Sequence, residues 1–595
     1  MKSPDALNIS ANRGAFPRIA LPRPFGLAVV GGIIGVLYAI YMFPPDFLAG
    51  SSRFWEAPPT EDLGTQISGV RYYIRDAWHF PIFRTVRIDP PAGISIVYTD
   101  SLPLFAIAAK FLKGIFGGEG NYFGVWLGIC YVLQAVSAVM LLASLSVRTH
   151  FAAVAAAVIA LSAPAFLFRV FHPTLCAHFL VMFALALYFI SIRASSFPRV
   201  WPWFCVLTWV SLLVQAYIFV MVSTILCATA TQVAVTKRRT GWLEAGCSIG
   251  VCFAGALCLM WISGFFWGRA NVRLWDIGRP DSFGNHSMNL LSPVFPQWSG
   301  LFPGIASVLG ATNGPFKDVG LIDATGRQYE GFNYLGAGVL FLTGAAVWLD
   351  RKNLVLRAKT YWGLVAALFV LSALATTHRV YVGKWGITLF ENVPLVLEEI
   401  RSSGRLFWPV SYTIIAGAIA VVTLRSRRYV GKGLLLVAVV LQISDAAPIR
   451  NWVRNWVTHG YEARYVIPAS PWIDLIRHHD EVKIFPTYEC AGESRTWKPI
   501  TELVFRASES GTPVNTTAID RFKGTGCEAE LETVKHLEVN GGDLLVFLSR
   551  PYAEKFAAGY AEYRQLCRSF DRGVVCSRQW PEMDRKGLSQ AFDAL

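Results

Sequence analysis

Acids and arginines stand at the ends of apolar runs in this chain, and their types point to one chemistry. After the first apolar run, the polar stretch at residues 51–101 carries Glu61 and Asp62, then Asp89 and Asp100. The turn FRVFHPTLCAH supplies Arg169 and His172, QYEGFNYLGAG supplies Glu330, and EEIRSSGRLFWP supplies Arg401 and Arg405. A carboxylate can take the proton of an attacking hydroxyl, as the base does in inverting glycosyl transfer. Guanidinium groups bind phosphate through paired hydrogen bonds and stabilise charge that develops on it, so a phosphate leaving group needs no general acid. Acids and arginines meeting at an apolar surface therefore suit the holding of a lipid-linked phosphate while a hydroxyl is activated. The scheme requires no cofactor and no divalent metal, and the sequence has no CxxC or Cys/His cluster with metal-ligand spacing.

Asp62 is the candidate base and Glu61 the alternative, because neighbouring side chains point apart and one of them faces a given site. The competing reading makes both of them solvated acids or charges at a helix start. Arg169 and His172 lie three apart and share one face of a helical turn. With Arg401 and Arg405 they are assigned to the donor phosphate. Against this, Arg169 could snorkel to headgroups, and Glu398 or Glu399 could pair with the later arginines. Gly404 would permit close backbone approach beside them. Glu330 fits contact with an acceptor hydroxyl or the orienting of an arginine, and Trp78 and His79 are assigned to substrate contact. The same face would also carry Arg269, Arg273, Asp276, His378, Arg379 and Lys384. Asp100 reads as the N-cap of a helix starting near 102, and His178 as a packing hydrogen bond between helices.

The elements that must position these residues follow from composition. The 595 residues are 54% hydrophobic and 16% charged, with a mean hydropathy of +0.42, which places the chain among multi-span membrane proteins. Apolar runs at about 25–43, 122–146, 151–168, 175–192, 200–214, 216–235, 243–262, 335–349, 361–376, 408–424 and 431–447 predict about eleven transmembrane helices. Residues 102–116, interrupted by Lys110 and Lys113, predict a helix lying at the interface. The first run lacks a small-residue cleavage site and reads as a retained helix. Basic residues fall mostly in short loops at 146–150, 193–199, 237–239, 351–359 and 425–432, so the net charge of +14 is assigned to topology and not to nucleic acid. With those loops inside, the N-terminus is cytoplasmic and the outer loops at 51–121 and 263–334 share a face with everything after 447. Paired arginines at 401 and 405 run against the positive-inside trend, and a phosphate ligand supplies the reason. Residues 448–595 are soluble in composition and predict a small extracytoplasmic α/β domain. Four of the eleven cysteines lie there, an even number that indicates two disulfides and an oxidising compartment. Cys567 and Cys576 flank a turn at 571–573, which leaves Cys490 with Cys527.

This arrangement resembles the GT-C superfamily of membrane glycosyltransferases. The pieces EDLGTQISGVRYYIRDAWHFP, YTDSLPLFAIAAKF, FRVFHPTLCAH, YEGFNYLGAG and SSGRLFWP resemble an uncharacterised bacterial membrane-protein family within it, over most of the chain to about residue 447. The resemblance implies a polyprenyl-phosphate sugar donor, an acceptor that is an envelope glycan, lipid or protein, and a place in the bacterial inner membrane. It matches Asp62 to the acid of the first outer loop. Here Glu61 precedes that acid, so two carboxylates stand where one is expected and the choice between them stays open. Two other functions compete. A transporter or flippase of lipid-linked glycans would show repeat symmetry and broken helices near the midplane, whereas the charges here collect on one face. A glycan ligase or polymerase would use the arginines without a carboxylate base.

Overall fold

The computed structural model describes residues 24–580 apart from 117–120, 195–199, 238, 268–282, 399, 460–464, 495, 520–525 and 560–562. Arg269, Arg273, Asp276 and Glu399, considered above for the site, lie outside the described residues. The apolar runs are helical, but the count of eleven spans is not confirmed among the described residues. Six helices are long and apolar enough to cross a bilayer: Phe25–Met42, Phe123–Ser144, Pro173–Arg193, Ala216–Thr236, Gly241–Ser263 and Ser403–Arg425. Two bent pairs raise the number to eight if each is one span: Ala337–Thr360 with Trp362–Thr376, bent by 89°, and Arg428–Asp445 with Ala447–His459, bent by 50°. The second bend falls where Pro448 cannot continue the hydrogen-bond ladder. His150–Leu161 and Trp201–Val214 are shorter apolar helices. At 1.5 Å per residue, a 12-residue helix reaches about 18 Å, well short of a hydrocarbon core of about 30 Å. Apolar runs alone do not separate such helices from full spans. Exposed Phe25, Leu37, Leu243, Trp261 and Phe369 give the bundle an apolar exterior. The chain is a multi-pass membrane protein.

The polar insert folds around the helix Glu61–Arg75. Thr60 caps it by accepting a hydrogen bond from the Leu63 amide at 3.2 Å, and Glu61 and Asp62 fill its first turn, where the helix dipole favours acids. The helix Pro103–Phe116 packs alongside and buries Lys110 over the rings of Tyr73 and Trp78, at 3.9 and 4.6 Å.

The C-terminal region forms a four-stranded sheet in the spatial order Glu481–Phe485, Asp543–Phe547, Gly573–Cys576, Cys567–Phe570, with the first pair parallel and the others antiparallel. Disulfides join Cys490 to Cys527 and Cys567 to Cys576, the second bridging adjacent antiparallel strands, as the cysteine spacing predicted. This domain docks directly on the insert. Its helix Trp497–Ser510 packs against Glu61–Arg75. Arg75 donates to the carbonyls of Ser508 and Glu509, Tyr72 to Thr512 at 3.0 Å, and Arg87 to Gly511 at 2.6 Å. Arg71 lies over Phe505 at 4.6 Å. These bonds satisfy the helix-end and turn carbonyls after residue 507 and fasten the C-terminal domain to the helix that carries Asp62.

Candidate active site

Asp62 sits on the second residue of its helix and turns its carboxylate toward His172, with Oδ2 3.3 Å from Nδ1. The far ring nitrogen, Nε2, lies 3.6 Å from Asp100. His172 thus stands between two carboxylates. Asp100 is not the cap of the following helix, which begins at Pro103 and leaves Leu102 in the cap position. Asp100 adopts φ +50°, a left-handed conformation that Asp tolerates better than most residues. The loop bearing it is pinned to the Asp62 helix by Ser101, whose hydroxyl donates to Gln66 O at 2.7 Å. Gly69 makes that approach possible, since a Cβ there would meet Thr99 Oγ1 and Ser101 Oγ at 2.3 Å.

A second cluster lies next to this one. Oε2 of Glu330 accepts from Arg169 Nη1 at 2.5 Å and from Arg405 Nε at 2.8 Å, and the Glu330 carbonyl accepts from Arg169 Nη2 at 2.7 Å. All three residues are buried. Their convergence depends on two glycines: a Cβ on Gly404 would stand 2.4 Å from Gly331 Cα, so only glycine lets the residues before Arg405 and after Glu330 meet back to back. Asn333 then clamps the junction, donating to the carbonyls of both glycines at 3.0 and 2.8 Å. Two guanidinium groups therefore share one carboxylate, and the cluster carries a net positive charge.

The electrostatics follow from these pairs. Asp62 is open to the cavities, its side chain 62% exposed; desolvation by the surrounding walls works against its charge, but the hydrogen bond and charge of His172 outweigh it and hold the carboxyl below its ordinary range. Burial likewise opposes protonation of His172, and the carboxylates of Asp100 and Asp62 overcome it, so the imidazole titrates above its usual value. Glu330, despite burial, is held well below the carboxylate range by Arg405 and Arg169. His286 goes the other way, to about 4, because burial dominates and keeps it neutral.

Two cavities meet at this wall of charge. One, of about 520 Å³, is lined by Asp62, Gln66, His172, Arg327, Arg401 and Arg405, with Tyr217 and Phe265 at its apolar side. The other, of about 790 Å³, is lined by Arg169, Phe171, Trp298, Phe316, Trp452 and Trp456. Glu61, Asp62, His172, Tyr329 and Glu330 border both. The C-terminal domain roofs each cavity, contributing Tyr488, Trp497 and Ala518 to the first and Lys498, Thr501 and Glu502 to the second.

The structure thus brings together Glu61, Asp62, Arg169, His172, Glu330, Arg401 and Arg405. It does not bring in Trp78 or His79, which border neither cavity. Trp78 packs on Phe111 and Lys110, and His79 lies 3.3 Å from Asp76, a carboxylate that accepts from Thr85 and the Val86 amide. His178 forms the expected packing bond, with Nδ1 2.6 Å from the Tyr412 hydroxyl. Gln66, Tyr329, His286, Arg327 and the tryptophan cluster were not anticipated. Gln66 had a legible signal, since it lies four residues after Asp62 on one helix face, and its buried amide has no hydrogen-bond partner among the described residues. Trp452 and Trp456 repeat at the same spacing. Among the described residues no group of three or more His, Cys, Asp or Glu has the geometry to hold a metal ion.

Fold and site together define a multi-pass membrane protein with an acid–arginine site roofed by a disulfide-bonded α/β domain. The chain belongs to the family described as "Domain of unknown function (DUF6311)", which matches residues 32–447, followed by the "DUF6311 C-terminal domain" at 471–578. No curated protein matches it. Among solved structures it is similar to the archaeal oligosaccharyltransferase AglB from Archaeoglobus fulgidus, in complex with an inhibitory peptide and a dolichol-phosphate. That match has 12% identity and a TM-score of 0.45, covering 94% of this chain and 75% of the other.

Proposed function

We propose that this protein is a glycosyltransferase that moves a sugar from a polyprenyl-phosphate donor to a cell-envelope acceptor on the outer face of a bacterial inner membrane. The observation that carries this reading is the shared wall: Asp62 borders both an arginine-lined cavity and an aromatic one. The donor phosphate lies in the first cavity against Arg401 and Arg405, with its lipid leaving past Tyr217 and Phe265 toward the bundle. Arg169, already bonded twice to Glu330, acts with Glu330 to hold Arg405 in place, and His172 orients Asp62.

In the transfer an acceptor hydroxyl oxygen bonds to the anomeric carbon while the bond from that carbon to the phosphate oxygen breaks. The electron pair stays on the phosphate, where the arginines stabilise it, and the hydroxyl proton passes to Asp62. The hydroxyl becomes acidic only as it bonds, so a carboxylate held below its ordinary range still accepts the proton. The disulfides fit an oxidising outer compartment for the C-terminal domain.

Sugar transfer from a polyprenyl-phosphate donor in membranes tests this. Asp62→Asn keeps the shape and a hydrogen-bond acceptor for His172 but removes the basicity, so the rate falls by about 10²–10⁴, with Glu61→Gln far less affected. Full transfer by Asp62→Asn alongside a dead Arg405→Ala refutes the base and supports the ligase alternative.

A further inference from the structure

The aromatic cavity specifies the chemical class of the acceptor. Resting on the transferase reading above, we infer that it binds a neutral glycan, presented to Asp62 with its sugar rings stacked on Trp298, Trp452 and Trp456. The rings form one continuous set. Phe171 lies 4.9 Å from Trp452 and 5.9 Å from Trp456, and Trp298 lies 5.1 Å from Trp452, all edge to face. Trp452 and Trp456 sit four apart on the helix Ala447–His459 and are half-buried, so each seals the bundle with part of its ring and borders the cavity with the rest. Indole faces meet the C–H faces of sugar rings through the same dispersion and quadrupole interactions that pair aromatics.

Polar groups stand where hydroxyls would need them. Glu502 is 3% exposed, accepts from the Ile467 amide through one oxygen, and has its other oxygen without a hydrogen-bond partner among the described residues. Lys498 lies 3.8 Å from it, and Asp318 borders the same cavity from the opposite loop. A lipid acceptor would leave the buried Glu502 carboxylate, and the more open charges of Lys498 and Asp318, against hydrocarbon.

Five carboxylates, Glu61, Asp62, Asp318, Glu330 and Glu502, line the aromatic cavity against three cations, Arg169, His172 and Lys498, which disfavours an anionic glycan there. The other cavity has as many carboxylates, Glu61, Asp62, Asp100, Glu330 and Glu398, and differs in carrying Arg327, Arg401 and Arg405, whose guanidinium groups suit a phosphate. The volume of about 790 Å³ lies in the upper range of small-molecule sites, about 300–1,000 Å³.

The full-length protein in nanodiscs is titrated with neutral pentasaccharides of glucose, mannose, galactose and N-acetylglucosamine, with a pentagalacturonate, with a pentapeptide and with a polyprenyl phosphate. At least one neutral pentasaccharide binds, and Trp452→Ala and Trp456→Ala each weaken it tenfold or more without changing polyprenyl-phosphate binding. Trp456→Phe, which keeps an aromatic face and guards against a folding artefact, retains most of the affinity. The inference is overturned if no neutral glycan binds, if the pentapeptide or the anionic glycan binds in preference, or if binding survives both alanine variants. Each of these leaves the donor reading standing as long as polyprenyl phosphate binds and Asp62→Asn abolishes transfer.

Discussion

Replacing Glu330 with glutamine tests whether the arginine cluster is held by charge. The substitution preserves the shape and one accepting oxygen but leaves Arg169 and Arg405 with no anion between them. Both guanidinium groups bond to a single oxygen, at 2.5 and 2.8 Å, and the three side chains are only 4%, 6% and 10% exposed. Removing one partner of a buried ion pair costs about 3–5 kcal/mol, because the uncompensated charge stays buried. The amide oxygen and the untouched bond from Arg169 to the Glu330 carbonyl put the loss near the lower end, about 3 kcal/mol. Equilibrium unfolding in mixed micelles, followed by tryptophan fluorescence, reads this as a lower midpoint. Adding Arg169→Gln removes one of the unpaired cations, so the double variant is more stable than the sum of the single losses predicts, with a coupling of about 1–3 kcal/mol. If Glu330→Gln lies within about 0.5 kcal/mol of the parent chain, or the two losses simply add, the cluster is not an electrostatic unit and the orienting role given to Arg169 and Glu330 fails.

Two further outcomes follow from the same geometry. His172 titrates above its ordinary 6.5, so the stability it supplies is fully present below 6.5 and fades as pH rises through the raised value, while Asp62 titrates below its ordinary 3.8, so its share is present above 3.8 and fades as pH falls through the lowered value. Transfer and stability therefore hold between these limits, and His172→Gln removes the alkaline limb of the profile; an unchanged alkaline limb excludes His172 from the pair. In the C-terminal domain, closing loops of 37 and 9 residues stabilises by about 4 and 2.5 kcal/mol in the chain-entropy account. Cys490→Ser should therefore raise hydrogen exchange in the sheet more than Cys567→Ser does, with equal exchange counting against that ranking.

Much of the site was legible because the chemistry of its members is local. A carboxylate pair after the first apolar run, arginines at the outer ends of later runs, and four cysteines in a polar tail are readable wherever they end up in space. Gly404 was readable too, because glycine before a functional arginine signals close backbone approach. The span count was not, since an apolar run of 12–15 residues satisfies hydropathy equally as a full crossing, a bent half or a short buried helix. Asp100 was read as a cap because the residues around it look like a helix start. Only its left-handed backbone and the position of His172, distant in sequence, turn it into the second carboxylate at that imidazole.

The sequence by itself determined that this chain lives in a membrane, which residue types are available for acid–base and phosphate chemistry, and how the cysteines pair. All of these follow from transfer free energies and short-range spacing. The tertiary structure alone decided that Glu330 is shared by two arginines, that Trp78 and His79 stand aside, and that one wall of charge divides an arginine-lined cavity from an aromatic one. Those facts depend on contacts between residues far apart in sequence, such as Asp62 with His172, Arg169 with Glu330 and Glu330 with Arg405, and no local pattern encodes which distant surface a side chain will meet.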